Sequence, residues 1–304
     1  MLLLSWLLRS GRADALALDW PNHRSMHTRP TPRVGGLGIM LGGMVAMAGV
    51  GEFVLGLLTL GLCTVSWLDD RAGVAIRVRL GVQVLVAGIW VSCFELTLWS
   101  LLASITLVWM TNLFNFMDGS DGLAGGMAVI GFGAYGFAAW MAGDATLAIL
   151  GAAISAASLG FLRFNFPPAR VFMGDVGSVP LGFVAGALGL QGWIHVVWPW
   201  WFPLLVFSPF VVDATLTLLR RGGRGESIWQ AHREHYYQRL VQMGWGHRKT
   251  ALAEYGLMVA ASITALAMLH LALGGQVFGL AVWTVTYTVL AWRIDRAWRK
   301  AGTA

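Results

Sequence analysis

The sequence predicts an all-α protein: a polytopic membrane helical bundle of about 10–11 transmembrane helices, one domain over residues 1–304. Three observations lead there. Hydrophobic residues make up 57% of the chain and charged residues 12%, with a mean hydropathy of +0.66. Apolar runs recur along its whole length, and every Lys and Arg falls in alternate gaps between them.

The apolar runs cover residues 34–50, 53–68, 80–93, 96–110, 123–140, 145–161, 177–193, 199–219, 250–271 and 276–292. Several are shorter than the ~20 residues an untilted span needs, so their ends are soft. Met1–Leu8 is too short to cross alone, and no cleavable signal peptide is expected, because no charged n-region or small-residue cleavage site frames it. If the runs alternate in direction, one side receives 9–33, 69–79, 111–122, 162–176, 220–249 and 293–304, which hold all 21 basic residues. The opposite loops hold Glu52, Glu95 and Asp144. The positive-inside rule makes the basic side cytoplasmic. The net charge of +6 is then topology plus a site for anions, and nucleic-acid binding is not expected.

Cys63 and Cys93 both fall in apolar runs and are expected as buried thiols, with no disulfide framework. Trp198, Trp200 and Trp201 cluster at the predicted outer boundary, and Trp292 and Trp298 at the inner one, as an interfacial belt would. The 39 glycines are expected at helix-packing positions. No internal repeat and no separate soluble domain is present.

Five polar segments share the basic side. The first, 19–36, contains three prolines and Arg24, Arg29 and Arg33, which can pair with phosphate. The second ends a span with Asp69 and Asp70. Carboxylates oppose the dipole at a helix C-terminus, so a metal or an arginine should compensate them. The third, 112–126, places Asp118 and Asp121 between two apolar runs, where a carboxylate costs about 2.5–3.5 kcal/mol at the bilayer centre. Their three-residue spacing fits one face of a short helix, and the small residues around them allow close approach of a ligand. The fourth, 163–178, sets Asp175 just before a span, where a helix N-terminus can also hold an anion. The fifth, 220–239, is basic, then aromatic. His232, Glu234 and His235 do not form His-Glu-x-x-His and lack a third ligand, so zinc is not expected. Asp213, inside the run 199–219, either supports the site or pairs with an arginine.

A one-sided set of Asp, His and Arg on helix ends suits transfer of a phosphorylated group at the membrane surface. Aspartates hold Mg²⁺, the ion bridges phosphate oxygens, and Arg and His neutralise developing charge. An ion-coupled transporter would instead place its aspartates near the midplane. An intramembrane aspartyl protease needs Gly-x-Gly-Asp, and residue 172 is Phe. A CDP-alcohol phosphatidyltransferase needs Asp-Gly-x-x-Ala-Arg, which Asp121-Gly-Leu-Ala-Gly-Gly126 does not supply.

At these segments the sequence resembles the polyprenyl-phosphate N-acetylhexosamine-1-phosphate transferases, which include phospho-MurNAc-pentapeptide translocase and the enzymes that initiate O-antigen and enterobacterial common antigen synthesis. The resemblance rests on Pro21-Asn-His-Arg-Ser-Met-His27, Pro30-Thr-Pro-Arg33 with Gly35-Gly36, Asp69-Asp70, Asn115-Phe-Met-Asp-Gly-Ser-Asp-Gly-Leu-Ala124, Val171-Phe-Met-Gly-Asp-Val-Gly-Ser178, Asp213-Ala-Thr-Leu-Thr-Leu-Leu-Arg-Arg221 and Ala231-His-Arg-Glu-His-Tyr-Tyr-Gln-Arg-Leu240, in family order. The translocase has successive histidines where this chain has His-Arg-Glu-His, so the O-antigen-type branch matches better. Members usually carry a full first span before the Pro-Asn motif, where this chain has Met1–Leu8; a short first helix or a late recorded start would each account for that.

The resemblance implies a multi-pass enzyme of the bacterial cytoplasmic (inner) membrane, with a cytoplasmic-face active site. It would move sugar-1-phosphate from a UDP-N-acetylhexosamine to undecaprenyl phosphate and release UMP, in one step or through an aspartyl intermediate, to start a lipid-linked surface glycan. Mg²⁺, or Mn²⁺ in its place, would be held by Asp121 and Asp175. Asp118 would support the nucleotide diphosphate, and Asp69 and Asp70 would lie beside the lipid phosphate. His232 and Arg233 would meet the sugar-phosphate end. Phe172 would stack on uracil near Asn115, and Thr31 and Arg33 would belong to a loop approaching the substrate. Membrane lipids are implied surroundings, and a homodimer is left open.

Overall fold

A computed structural model describes residues 1–21, 29–95, 97–227 and 232–302. Two short helices, α1 (Leu2–Arg9) and α2 (Arg12–Leu16), precede a two-residue antiparallel pair, β1 (Leu18–Asp19) with β2 (Thr31–Pro32). The bundle follows: α3 (Gly35–Gly49), α4 (Phe53–Ala72), α5 (Ile76–Ser92), α6 (Ser100–Phe116), α7 (Leu123–Ala142), α8 (Ala145–Asn165), α9 (Asp175–Ile194), α10 (Trp201–Val206), α11 (Ser208–Gly223), α12 (Tyr236–Leu240), α13 (Gly246–Met268) and α14 (Leu273–Ala301). All ten apolar runs fall on helices. Among the described residues, six segments are long and apolar enough to cross a membrane: α4, α7, α8, α9, α12 through α13, and α14. The chain is an all-α membrane bundle.

Small residues set how closely the helices cross. A Cβ on Gly151 of α8 would lie 2.4 Å from the backbone nitrogen of Gly136 on α7. One on Gly182 of α9 would lie 2.4 Å from the Met110 carbonyl oxygen of α6, and one on Gly36 of α3 would lie 2.4 Å from Gly177 of α9. α9 is therefore the axis of the bundle: 78% of its apolar window is buried inside the protein, against 6% for α14.

Several boundaries differ from those expected. The run 199–219 is two helices. Pro209 has no N–H to continue the ladder, and the Ser208 hydroxyl donates to the Leu205 carbonyl at 2.6 Å instead. α14 continues to Ala301, nine residues past the expected end, because Arg and Lys near its last turn suit its dipole. Cys93 is exposed rather than buried, since it is the C-cap of α5. Of the outer tryptophans only Trp200 projects. Trp198 is buried, stacks on Tyr135 at 4.9 Å and fills the space left by Gly192.

Candidate active site

Three helix ends meet on the basic face. α4 brings Asp69 and Asp70 in its last turn, the α6–α7 turn brings Asp118 and Asp121, and α9 opens with Asp175. α4 and α6 both pack on α9, so these segments converge although they are far apart in sequence. Asn115 Nδ2 donates to Asp175 Oδ1 at 2.8 Å and to Ser178 Oγ at 2.9 Å. Arg79, from the first turn of α5, is ion-paired with Asp69 and reaches Asp175 Oδ2 at 3.4 Å. The second Asp69 oxygen accepts the Val74 N–H at 2.6 Å.

Asp70 is held differently. Its Oδ2 accepts the Val176 N–H at 3.2 Å, so the anion at the N-terminus of α9 is a side chain from α4. Arg33 Nη1 lies 3.6 Å from Asp70 Oδ1, and Arg33 Nη2 lies 2.7 Å from Asp19 Oδ1. The compensation that carboxylates at the end of α4 require is thus supplied by two arginines and a helix N-terminus. Gly174 makes the approach feasible. Its φ is +74°, and a Cβ there would stand 3.0 Å from Asp70 Oδ2 and 3.1 Å from the Arg33 carbonyl.

Burial, then the nearby Asp175 carboxylate, push the Asp118 carboxyl well above the usual carboxylate range; Asp70 and Asp121 add to this and Arg33 opposes it. Asp121 faces a different neighbourhood. Its Oδ2 accepts the Ala169 N–H at 2.9 Å, and its own N–H points to His247 Nδ1 at 3.4 Å. Ser120 Oγ is 2.9 Å from the same nitrogen. The next residue, Gly122, donates to Asn165 Oδ1 at 2.8 Å and accepts from the Tyr255 hydroxyl at 2.7 Å.

The donor set suits a hard divalent cation. Asp69, Asp70, Asp118 and Asp175 crowd one another, with Arg33 and Arg79 as counter-charges. Among the described residues no three Asp, Glu, His or Cys side chains form a ready-made cage. Mg²⁺ does not need one: it binds through one or two carboxylates, keeps waters and takes substrate phosphate oxygens. The two carboxylates expected to share it have separate protein partners, the Ala169 N–H for Asp121 and Asn115 with Arg79 for Asp175.

The substrate-side residues lie on two straps. Phe172 N–H donates to the Pro32 carbonyl at 2.8 Å, and the Gly35 and Gly36 N–H groups donate back to the carbonyls of Phe172 and Met173 at 2.9 Å each. This zipper fixes half-buried Phe172 beside the segment that carries Thr31, which is buried, and Arg33. The second strap runs through His232, Arg233 and His235. The Asp213 carboxylate from α11 accepts the N–H groups of Tyr236 and Tyr237 at 2.9 and 3.0 Å and lies 3.2 Å from His235 Nδ1. That resolves the role of Asp213: it anchors the strap. The His232 and His235 rings are 4.8 Å apart. The Tyr237 hydroxyl donates to the Phe116 carbonyl at 3.0 Å, tying the strap to the turn that carries Asp118. Burial, then His235 and Arg221, lower the His232 pKa to about 4, so the ring is neutral at neutral pH.

Arg79, Asp19, Ser178 and His247 were not singled out by their sequence. Arg79 shares its only signal with Arg77: both are cations in the first turn of α5, soon after an Asp-Asp pair and a glycine turn. His247 had none. Arg24 lies outside the described residues. The polar groups gather at one face, not at the depth a coupled transporter needs.

The family model described as glycosyl transferase family 4 matches residues 53–192, the span from α4 through α9. A Bacillus subtilis (strain 168) protein named "Probable undecaprenyl-phosphate N-acetylglucosaminyl 1-phosphate transferase" is 30% identical, over 83% of this chain and 77% of its own length. This chain belongs to the polyprenyl-phosphate N-acetylhexosamine-1-phosphate transferase family. Other similar members of that family include the Escherichia coli (strain K12) undecaprenyl-phosphate alpha-N-acetylglucosaminyl 1-phosphate transferase, 28% identical over 93% of this chain and 85% of its own. The Mycobacterium tuberculosis (strain ATCC 25618 / H37Rv) decaprenyl-phosphate N-acetylglucosaminephosphotransferase is 28% identical over 79% and 72%.

Proposed function

We propose that this transferase moves N-acetylglucosamine-1-phosphate from UDP-N-acetylglucosamine to undecaprenyl phosphate at the cytoplasmic face of a bacterial inner membrane. The observation that carries the reading is the meeting of Asp69, Asp70, Asp118 and Asp175 with Arg33 and Arg79 at one face of the bundle. The names of the similar proteins supply N-acetylglucosamine and a polyprenyl phosphate; their lipid differs between undecaprenyl and decaprenyl.

In this reading a lipid phosphate oxygen bonds to the phosphorus next to the sugar. The bond from that phosphorus to the bridging oxygen breaks, and UMP leaves. Mg²⁺ bound by Asp121 and Asp175 would neutralise charge on the diphosphate and on the departing UMP. A phosphate monoester has its second pKa near 6, so the acceptor is already largely dianionic at pH 7. Asp69 and Asp70 then orient the acceptor and its counter-cation through Arg79 and Arg33, and no strong base is required. Asp118 lies against Asp70 and Asp175, where a diphosphate–cation complex would sit. Phe172 offers a face for uracil, and neutral His232, whose Nδ1 accepts the Glu234 N–H at 3.3 Å, offers its Nε2 to the sugar-phosphate end, beside Arg233.

Purified protein incubated with undecaprenyl phosphate, Mg²⁺ and a panel of UDP-sugars tests this. The expected result is lipid product and stoichiometric UMP with UDP-N-acetylglucosamine. Product with another UDP-sugar alone would change the donor, and no lipid product with any donor would sink the reading. Orientation is tested separately. In a chain whose exposed Cys93 is first replaced by Ser, a cysteine replacing Asp144 should react with an impermeant thiol reagent in intact spheroplasts, and one replacing Gly223 should not.

A further inference from the structure

The turn that carries Asp121 is held by a helix far from it in sequence. α13 lies outside residues 53–192, the span that the family model matches. Two of its side chains nevertheless close on Ser120, Asp121 and Gly122. The Tyr255 hydroxyl donates to the Gly122 carbonyl at 2.7 Å, and the Tyr255 ring occupies the space that a Cβ on Gly126 of α7 would need. α13 is thereby seated against α7. About two turns earlier, in the first turn of α13, His247 Nδ1 stands 2.9 Å from Ser120 Oγ and 3.4 Å from the Asp121 backbone nitrogen.

A backbone N–H can only donate, so Nδ1 is the acceptor and the ring proton sits on Nε2. Ser120 is buried, and its hydroxyl donates to the same nitrogen. The remaining bonds of the turn go to the α8–α9 side: the Gly122 N–H donates to Asn165 Oδ1, and Asp121 Oδ2 accepts the Ala169 N–H. Asp121 is thus fixed at its backbone and at one carboxylate oxygen. Among the described residues nothing donates to its other oxygen, Oδ1. A carboxylate held in this way keeps one oxygen in a set direction, which is what a hard cation takes. Without an acceptor at the place of His247 Nδ1, the buried Ser120 hydroxyl and the Asp121 N–H lose their partner, and the turn must shift to find new ones.

We propose that His247 is a positioning residue for the divalent cation. It acts through Asp121 and not as a ligand: it holds the 120–122 turn in the form that leaves Asp121 Oδ1 for the ion. The proposal rests on the reading that Asp121 binds Mg²⁺. It gives α13 a part in the metal centre that the segments around α9 do not themselves supply.

The test uses the full chain in detergent with Mn²⁺ as the probe. Binding is read from the loss of the free-ion electron paramagnetic resonance signal, so no turnover is needed. His247→Ala is expected to weaken binding about tenfold, the scale of losing a group that orients a metal ligand. His247→Asn should stay within about threefold of the unmutated chain, because its Oδ1 can stand where Nδ1 stood. His247→Gln, whose acceptor reaches the Nε2 position instead, should resemble His247→Ala. A merely structural role would lower the melting temperature without separating Asn from Gln. Asp121→Asn calibrates the reading underneath. If it weakens Mn²⁺ binding and His247→Ala does not, the proposal falls while the metal assignment stands. If the unmutated chain binds no Mn²⁺, or Asp121→Asn binds it equally well, both fall. Equal affinities of the Asn and Gln variants would also overturn the proposal, since the place of the acceptor would then not matter. Where His247→Ala fails to fold, judged by its melting temperature, the Asn–Gln comparison decides alone.

Discussion

Two charged regions share the basic face of this bundle, and they are built on opposite principles. Around α9, carboxylates outnumber arginines, and each arginine is stretched between two acids: Arg79 between Asp69 and Asp175, Arg33 between Asp19 and Asp70. Around α12 the stoichiometry is reversed. Arg220, Arg221, Arg224 and Arg239 divide Glu226, Glu234 and Asp295. A region short of positive charge is completed by a cation, and one rich in arginine by an anion or by structure alone. The first region should therefore fail in catalysis when altered, and the second in stability.

The largest effect expected is at the acidic region. Asp175→Asn or Asp118→Asn should lower turnover by about 10³-fold or more, with the protein still inserted and folded, because each removes charge where a diphosphate–cation complex would sit. Near-normal turnover of Asp175→Asn at limiting Mg²⁺ would break the contrast. Next comes Arg79→Gln, which leaves Asp69 and Asp175 without their shared cation. A loss of about 10²-fold is expected, with part of it restored by Arg79→Lys. If Arg79→Gln instead retains activity and only lowers the melting temperature, Arg79 is structural and the two regions are alike.

Much of this acidic region was legible in sequence, and for a specific reason. A carboxylate at the end of an apolar helix has few tolerable surroundings, so Asp69, Asp70, Asp118 and Asp175 announce themselves one by one. Their partners do not. Arg79 is one of several basic residues following the end of α4, and only the turn at Gly73, with φ +70°, folds α5 back so that it reaches Asp69. His247 lies over a hundred residues from Ser120, and a single sequence carries no record of that contact. The helices were readable from hydropathy, but their ends were not. The break at Phe207 and the basic extension of α14 depend on local hydrogen bonding and on a dipole, which a count of apolar residues does not register.

On the arginine-rich side, Asp295→Asn should lower stability by about 2–3 kcal/mol, since it leaves the mostly buried Arg239 and the Arg220 beside it short of their shared carboxylate. The acceptor-substrate KM should change little. A thermal or denaturant transition measured alongside turnover checks both halves. A large kcat defect with unchanged stability would place this region in the reaction and erase the distinction.

The smallest effect expected concerns His232. Its pKa in the folded chain is about 4, against 6.5 when unperturbed. Between those values the unfolded chain holds a proton that the folded chain does not. Stability from this group is full above pH 6.5 and is lost as pH falls towards 4. His232→Gln should flatten that part of a stability–pH curve, measured from unfolding midpoints at pH 4.5 and 7.5. An unchanged slope would mean that His232 is already protonated in the folded chain.

The pairing of Asp70 with the first turn of α9 also bears on how the protein is made. Asp69 can find Arg79 within one helical hairpin, as soon as α5 has been synthesised. Asp70 has Arg33 ahead of it in the chain, but its second oxygen waits longer, because the Val176 N–H it accepts from belongs to a helix translated after α5, α6, α7 and α8. A nascent chain that has reached Asn165 must leave that oxygen in water, which keeps the Asp70 end of α4 at the surface. Arrival of α9 lets α4 settle and closes the acidic region in the same movement. During membrane biogenesis, a chain released before α9 would then be left with an open acidic region and an exposed end of α4.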